Sequence, residues 1–267
     1  MSMMTKDVVV DRIDVAASHM EKGEDFVAKE IPLHVFMGTI HFVSVLCSPT
    51  LLKEFVIGHL LGEGLVNSLD EIIGIDFEEE NRCHVTLQKI DVEKHVIVSK
   101  PFARLIVSSC GSIGYRTLSE LLHTIELKPL PFWKIKAKTV LECVKRLNVL
   151  AETFRKTGGV HIAALFMHDG RLVMFAEDVG RHNAVDKVIG AASLSQQDLS
   201  RCLLVLSGRL TGDIVLKAAR VGVPIVASLA AAVDSGVEVA EKTAMTLVGF
   251  VRGNRMNVYA NPERIQL

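Results

Sequence analysis

The sequence predicts an α/β protein in two parts, a smaller α+β domain over residues 1–137 and an α/β domain over residues 138–267. Three observations predict it. Beyond residue 138, strand-like and helix-like runs alternate, the pattern of a parallel or mixed sheet flanked by helices. Before it, strand-like runs are grouped around a helix. Between the two, KPLPFWKIKA (128–137), with two prolines and alternating lysines, reads as a linker. At 267 residues the chain is long enough for a substantial core.

The elements follow in order. EIPLHVFMGTIHFVSVLC (30–47) gives two strands turning at Gly38-Thr39. SPTLLKEFVIGHLLGEGL (48–65) is a helix capped by Ser48, with Pro49 in its first turn and a face of Leu51, Leu52, Phe55, Val56 and Leu60. Strand-like runs come near 72–77, 83–90, 95–98 and 103–109. Cys110 then sits in a glycine-containing loop, SSCGSIG (108–114), that leads to a short helix at 116–124. TVLECVKRLNVLAETFRKTGG (139–159) reads as one helix with a Thr139/Glu142 capping box and terminal glycines. IAALFMHDGRLVMFAE (162–177) is a hairpin turning on Asp169-Gly170. A helix from about 183, capped by Asn183 or Asp178, precedes a strand at 202–207, a helix at 211–220 and a strand at 224–229. A helix near 235–245, the strand TLVGFV and the extended MNVYA complete the chain.

Bulk properties exclude several function classes. The formal net charge is −1 with no basic run, which argues against nucleic-acid binding by charge. The longest uncharged apolar stretch, VPIVASLAAAV (223–233), is too short to cross a bilayer, so no membrane association is expected. The N-terminal MSMMTKDVVVDRID has no apolar signal core, which predicts a cytoplasmic protein. Five cysteines without a CxxC spacing predict neither a disulfide framework nor a structural metal site. Cys47, Cys83, Cys143 and Cys202 read as core residues. Cys110, among small residues, stays open between a nucleophile, the remnant of a metal or redox pair, and a small residue filling a turn.

Ligands of open α/β sheets bind beyond the carboxyl ends of the strands. Those ends read SGRLTGD (207–213), ASLAAAVDSG (227–236) and VRGNR (251–255), with Arg209, Arg252 and Arg255 available for anions. A phosphorylated ligand fits such a crevice. EDVGRHNAVDKVIG (177–190) concentrates ionisable groups between two apolar elements, where they hold a ligand or one another. Asp178, Arg181 and His182 are expected to face the crevice between the domains, with His182 positioning a ligand. His161, opening a strand, is placed like a ligand of the zinc deaminases. Position 163 is alanine, however, and no P-C-x-x-C exists, which excludes deaminase chemistry.

Seven blocks occur in order between about Glu30 and Arg264: EIPLHVFMG, CSPTLLKEFVIGHLLGEGL, SSCGSIG, TGGVHIAAL, EDVGRHNAVDKVIG, LSGRLTGDIVLKAARVGVPIVAS and TLVGFVRGNRMNVYANPER. On these the sequence resembles the FdhD/NarQ family of formate dehydrogenase accessory proteins. The resemblance implies a cytoplasmic sulfurtransferase, active as a homodimer, whose C-terminal domain is a cytidine-deaminase-like α/β sandwich. It implies that a cysteine desulfurase supplies persulfide sulfur, and that this sulfur passes to the bis-molybdopterin guanine dinucleotide molybdenum cofactor (Mo-bisPGD) for the formate dehydrogenase apoenzyme. The cofactor is then held through its guanine dinucleotide ends. By resemblance, Cys110 matches the persulfide-carrying cysteine, and Phe250, Val251, Arg252, Gly253, Asn254 and Arg255 match the cofactor-binding segment. Ser207, Gly208 and Arg209, with Asp178, Arg181 and His182, complete the expected site. Where the family shows C-G-x-C-G, Ile113 stands in place of the second cysteine, which implies a persulfide carried on one sulfur. The alternative is a chaperone that binds the molybdenum cofactor without covalent chemistry.

Overall fold

Alternating apolar side chains shape both halves of the chain. The computed structural model describes residues 3–88, 105–108, 111–113 and 130–267. Strands β1 (Thr5–Asp14) and β2 (His19–Ala28) form an antiparallel ribbon. β3 (Ile31–Met37) and β4 (Ile40–Cys47) turn at Gly38, whose φ of 59° suits glycine. Helix α1 (Leu52–Gly62) follows, then β5 (Ile72–Glu78) and β6 (Arg82–Leu87). The resulting four-stranded sheet has the order β4-β3-β6-β5, parallel only between β3 and β6. Leu33, Val35 and Met37 alternate onto one face of it and pack with Cys47, Cys83 and Val85 against Phe55, Val56 and Leu60 of α1. β7 (Leu105–Ser108) and β8 (Gly111–Ile113) pair antiparallel, so Gly111–Ile113 is strand where a loop was expected. Cys110, the strand expected at 95–98 and the helix expected at 116–124 lie outside the described residues.

β9 (Ile135–Lys136) runs parallel to the C-terminal pair of residues Ile265–Gln266, and Trp133 Nε1 donates to the Ser200 carbonyl at 2.8 Å. The stretch read as a linker is thus seated on the second half. Helices α2 (Ala137–Leu150) and α3 (Glu152–Thr157) replace the single helix expected over 139–159. The break falls at Ala151, with ψ of 70°. There the Glu177 carboxylate accepts the N–H groups of Thr153 (2.9 Å) and Phe154 (2.8 Å), which caps α3 from a neighbouring strand. The Thr139/Glu142 capping box does not form, because α2 begins two residues earlier, at Ala137.

β10 (His161–Met167) and β11 (Leu172–Asp178) make the expected hairpin, with Gly170 at φ 84°. Then come α4 (Arg181–Leu194), β12 (Cys202–Leu206), α5 (Gly212–Arg220), β13 (Ile225–Ser228), α6 (Asp234–Lys242), β14 (Thr246–Arg252), β15 (Arg255–Ala260) and β16 (Ile265–Gln266). The six-stranded sheet has the order β11-β10-β12-β13-β14-β15, parallel at its centre from β12 to β14. Along β12 the side chains divide by parity. Cys202, Leu204 and Leu206 join Val185, Val188, Ile214 and Val239 of α4, α5 and α6 in one core. Leu203 and Val205 join Val140, Cys143, Val144 and Leu147 of α2 in the other. No helix among the described residues is long and apolar enough to cross a membrane.

The two halves meet where α1 crosses α4. A Cβ on Gly58 would lie 1.7 Å from the Asp186 carbonyl oxygen, and one on Gly190 would lie 1.9 Å from that of Glu54. Only glycine allows backbones to approach this closely.

Candidate functional site

The polar block 177–190 lies between buried elements, as expected, and its ionisable groups hold one another and their neighbours. Asp178 is fully enclosed and does not face a crevice. Its carboxylate pairs with Lys187 Nζ at 2.5 Å and accepts the N–H groups of Ser48 (3.0 Å) and Gly180 (2.9 Å) and Nδ2 of Asn183 (2.9 Å). Neither Asp178 nor Asn183 caps α4; the N-cap is Gly180, with no side-chain cap. Ser48, expected to cap α1, instead faces α4: its hydroxyl accepts the Val179 N–H and its carbonyl accepts Lys187 Nζ. Asp178 and Lys187 thereby lock the β4–α1 connection to the start of α4, and the internal donors already use the acceptor capacity of Asp178.

A second buried cluster lies one turn along. Asp186 accepts from Lys217 Nζ at 2.7 and 2.8 Å and from His59 Nδ1 at 3.0 Å. Lys217 also pairs with Glu63 at 2.9 Å, and Arg220 donates to the Gly62 carbonyl. Burial raises the Glu63 pKa, but Lys217, His59 and Arg220 outweigh it and hold this carboxyl down at about 2. The sequence placed Asp186 and Lys187 near a helix start. It gave no sign that α1 and α5 would supply their partners, since the spacing to Lys217 is 31 residues.

The carboxyl ends of the parallel strands do open on a cleft, of about 350 Å³. His161, Ser207, Val179 and Leu229 line it, with Phe154 and Gly159 on the α3 side. The Ser207 hydroxyl accepts the Ile162 N–H at 3.1 Å and lies 3.3 Å from His161 Nδ1. Gly208 lies close to Arg181, whose side chain would sit 3.0 Å from a Cβ there. Arg209 is exposed beside them. His182 Nε2 meets the Asp213 carboxylate at 2.5 Å. Burial raises the Asp213 pKa, yet the hydrogen bond and charge of His182 carry it well below the usual carboxylate range. Asp213 was legible only as the last residue of a loop. His161, set aside with deaminase chemistry, is part of the cleft.

Leu229 and Ala230 connect this cleft to the β14–β15 hairpin. Arg252 Nε donates to the Leu229 carbonyl at 2.8 Å and the Phe250 N–H to that of Ala230 at 2.9 Å. The Arg252 guanidinium lies over the Phe250 ring, 5.4 Å from its centroid. Phe250 has φ of 50°, a conformation costly for an aromatic residue. Its ring is exposed at the strand end. Val251 is buried in the α2-side core, so its side chain is out of reach of the strand-end surface. Gly253 turns the hairpin at φ 60°, and Asn254 and Arg255 are exposed. Among the described residues no cluster of His, Cys, Asp and Glu is suited to a metal ion.

The FdhD/NarQ family model matches residues 28–266. The chain belongs to the FdhD/NarQ family. Its relatives include the sulfur carrier protein FdhD of Sulfolobus acidocaldarius, 37% identical and covering 95% of this chain and 96% of that one. The protein of the same name from Bacillus subtilis is 33% identical, covering 92% and 93%. A crystal structure of a candidate formate dehydrogenase accessory protein from Desulfotalea psychrophila superposes with a TM-score of 0.79 at 28% identity, over 98% of this chain and 100% of that one. The family model begins at residue 28, the end of β2, so the β1–β2 ribbon lies outside it.

Proposed function

We propose that this chain is a sulfur carrier that takes persulfide sulfur from a cysteine desulfurase onto Cys110. It passes that sulfur to Mo-bisPGD, bound as substrate, for a formate dehydrogenase. The observation that carries the reading concerns the other thiols. Cys47, Cys83, Cys143 and Cys202 are all buried. Burial is the main cause that pushes the first three up to about 12 and Cys202 up to about 11, so none supplies a thiolate near neutral pH. The sulfur chemistry for which the relatives are named therefore falls to Cys110. In the transfer, the Cys110 thiolate attacks the outer sulfur of the donor persulfide. A new S–S bond forms as the old one breaks, and the donor leaves as a thiolate, with no net oxidation. Ile113 cannot trap that sulfur as a disulfide within the loop.

A variant lacking Cys47, Cys83, Cys143 and Cys202 should gain one sulfur atom by mass spectrometry after incubation with a cysteine desulfurase and cysteine. Cys110→Ala should gain none. Uptake by Cys110→Ala would reject the carrier. Ile113 in the family's second cysteine position favours one other reading, a cofactor chaperone without covalent chemistry. That reading predicts that Cys110→Ala still activates formate dehydrogenase.

The strand-end surface is the proposed cofactor site, in a C-terminal unit of deaminase-like layering. Arg181 and Arg209 offer charge to phosphates, and Phe250 with Arg252 offers a flat face for a guanine. Charge-assisted contacts contribute roughly 1.5–3 kcal/mol. Arg252→Ala should weaken GDP binding about tenfold or more by calorimetry. Unchanged affinity would place the nucleotide elsewhere.

A further inference from the structure

We propose that one face of the β1–β2 ribbon is a docking surface for the protein that receives the cofactor, and that it fits an apolar surface rimmed by lysine and arginine. This rests on the carrier reading above and adds to it where the acceptor protein sits.

The register of the ribbon sorts its side chains by face. In an antiparallel pair, residues directly opposite one another share a face. Phe26 lies opposite Asp7, Glu24 opposite Val9, Lys22 opposite Asp11 and Met20 opposite Ile13, and parity puts all eight on one face. Its four large apolar side chains are bare: Val9 is 74% exposed, Ile13 67%, Met20 62% and Phe26 47%. The opposite face is better covered. There the Arg12 side chain lies across Gly23, with Nη2 donating to the Glu24 carbonyl at 2.7 Å, and Val8 and Val10 are half-buried. Only Val27, near the base, is an exposed apolar residue on that side. All of residues 11–22 are exposed. A two-stranded ribbon is marginally stable by itself in water, and one with a bare apolar face gains from a partner that covers it.

The position of the ribbon selects the partner. Followed to its base, the same face ends in Thr5 and Ala28. Thr5 is buried, and a Cβ on Gly159 would stand 3.1 Å from that of Ala28. Gly159 lines the cleft, so the ribbon rises from the rim of the proposed cofactor site. A protein seated on it is held beside that site. Charge sets the chemistry of the partner. Asp7, Asp11 and Glu24 share the face with Lys22 alone. A cofactor carrying diphosphates is a polyanion, and a protein that takes one in presents lysine and arginine around the entrance. Carboxylates set among apolar side chains complement such a rim. A second copy is disfavoured, since each face would bring three carboxylates and one lysine to the contact. Area points the same way. Ten-residue strands give a face of about 34 by 10 Å, roughly 340 Å². A stable complex uses about 800 Å² per partner. The contact is one that forms and releases, as handing over a cofactor requires.

The test is activation of a formate dehydrogenase apoenzyme by protein loaded with sulfur and cofactor. Two variants are compared with wild type: Ile13→Ser with Met20→Ser, and Asp7→Asn with Asp11→Asn and Glu24→Gln. All five side chains are exposed, so the fold is not at stake. Each variant should raise the apoenzyme concentration for half-maximal activation about tenfold or more with the maximal rate unchanged, the signature of lost docking. The second should also lose most of the salt dependence of wild type. Sulfur uptake from a desulfurase and GDP affinity should match wild type in both, which separates docking from carrier chemistry. Half-maximal concentrations equal to wild type in both variants, or tighter docking after neutralisation, would overturn the inference and leave the carrier standing. Lost sulfur uptake with intact activation would assign the face to the desulfurase and overturn it as well. So would a wild-type dimer that Ile13→Ser with Met20→Ser dissociates in sedimentation, because a second copy would then own the face. If wild type activates no apoenzyme, both readings fall.

Discussion

Gly190→Ala should lower the melting temperature by about 4–8 °C, although alanine is the better helix former. The intrinsic gain is about 1 kcal/mol. Against it, the new methyl would lie 1.9 Å from the Glu54 carbonyl oxygen, a backbone atom that no rotamer change moves aside. The helix axes must separate, and overpacking of this kind costs about 1–3 kcal/mol even where side chains yield. A net loss near 2 kcal/mol, the upper end of that difference, gives the stated shift for a chain of this size. Gly58→Ala meets the Asp186 carbonyl oxygen at 1.7 Å and should behave alike. Gly74→Ala is the control: the new methyl would lie 3.6 Å from its nearest neighbour, the Asp76 carboxylate, and should change stability little. Thermal unfolding of the three variants decides the matter. A Gly190→Ala protein as stable as wild type would mean that α1 and α4 do not pack this closely.

These two glycines show what the sequence carried and what it withheld. Each follows Val-Ile in an apolar helix, and neither stands out, because a helical glycine reads locally only as a weakness. Elements with one buried face were legible. The periodicities of β3 and α2 gave their positions within a few residues, since alternation and helical spacing record a single packed side, while β10 and β12, packed on both faces, stood out as short apolar runs. Helix α4 has no such side. It is buried nearly all round, so no stripe marked which partners its charged residues would meet, and these prove to be Ser48, His59 and Lys217. The β1–β2 ribbon has the opposite problem. Val9, Ile13, Met20 and Phe26 are exposed, and with little burial on either face no alternation marks it as two strands. The capping expectations failed at Ser48 and Thr139 because local chemistry offers a cap wherever the residue types fit, and tertiary partners decide. Of the candidate site, the strand-end loops were readable from fold logic alone. The pairing of His182 with Asp213 and of His161 with Ser207 spans 31 and 46 residues respectively and is set only when the sheet closes.

Lys217→Met should cost about 3–5 kcal/mol, the range for removing one partner from a buried ion pair. The Lys217 ammonium is 4% exposed and Asp186 1% exposed, so the stranded carboxylate has little water to turn to and only His59 beside it. Burial lowers the Lys217 pKa, but Asp186 and Glu63 overcome this and raise it above the ordinary lysine range. Glu63 is held at about 2 by the same contact, against its own burial. A depressed carboxylate stabilises the fold above its unfolded value near ~4.3 and loses that contribution as pH falls through its folded value. The stability gap between wild type and Lys217→Met should therefore be widest near neutral pH and should close as pH falls from about 4 towards 2. Asp186→Asn combined with Lys217→Met removes both charges and should recover much of the loss, which a double-mutant cycle reads directly. A constant gap from pH 7 to pH 2, or no recovery in the double variant, would show that Lys217 contributes by packing and not by charge. The effect should extend to function. Lys217 lies one helical turn after Asp213 on α5, and Asp186 lies one turn after His182 on α4. Releasing the pair that joins these turns loosens the two helix starts that hold the His182–Asp213 contact. GDP affinity should then fall in a variant whose substituted residue lies outside the cleft.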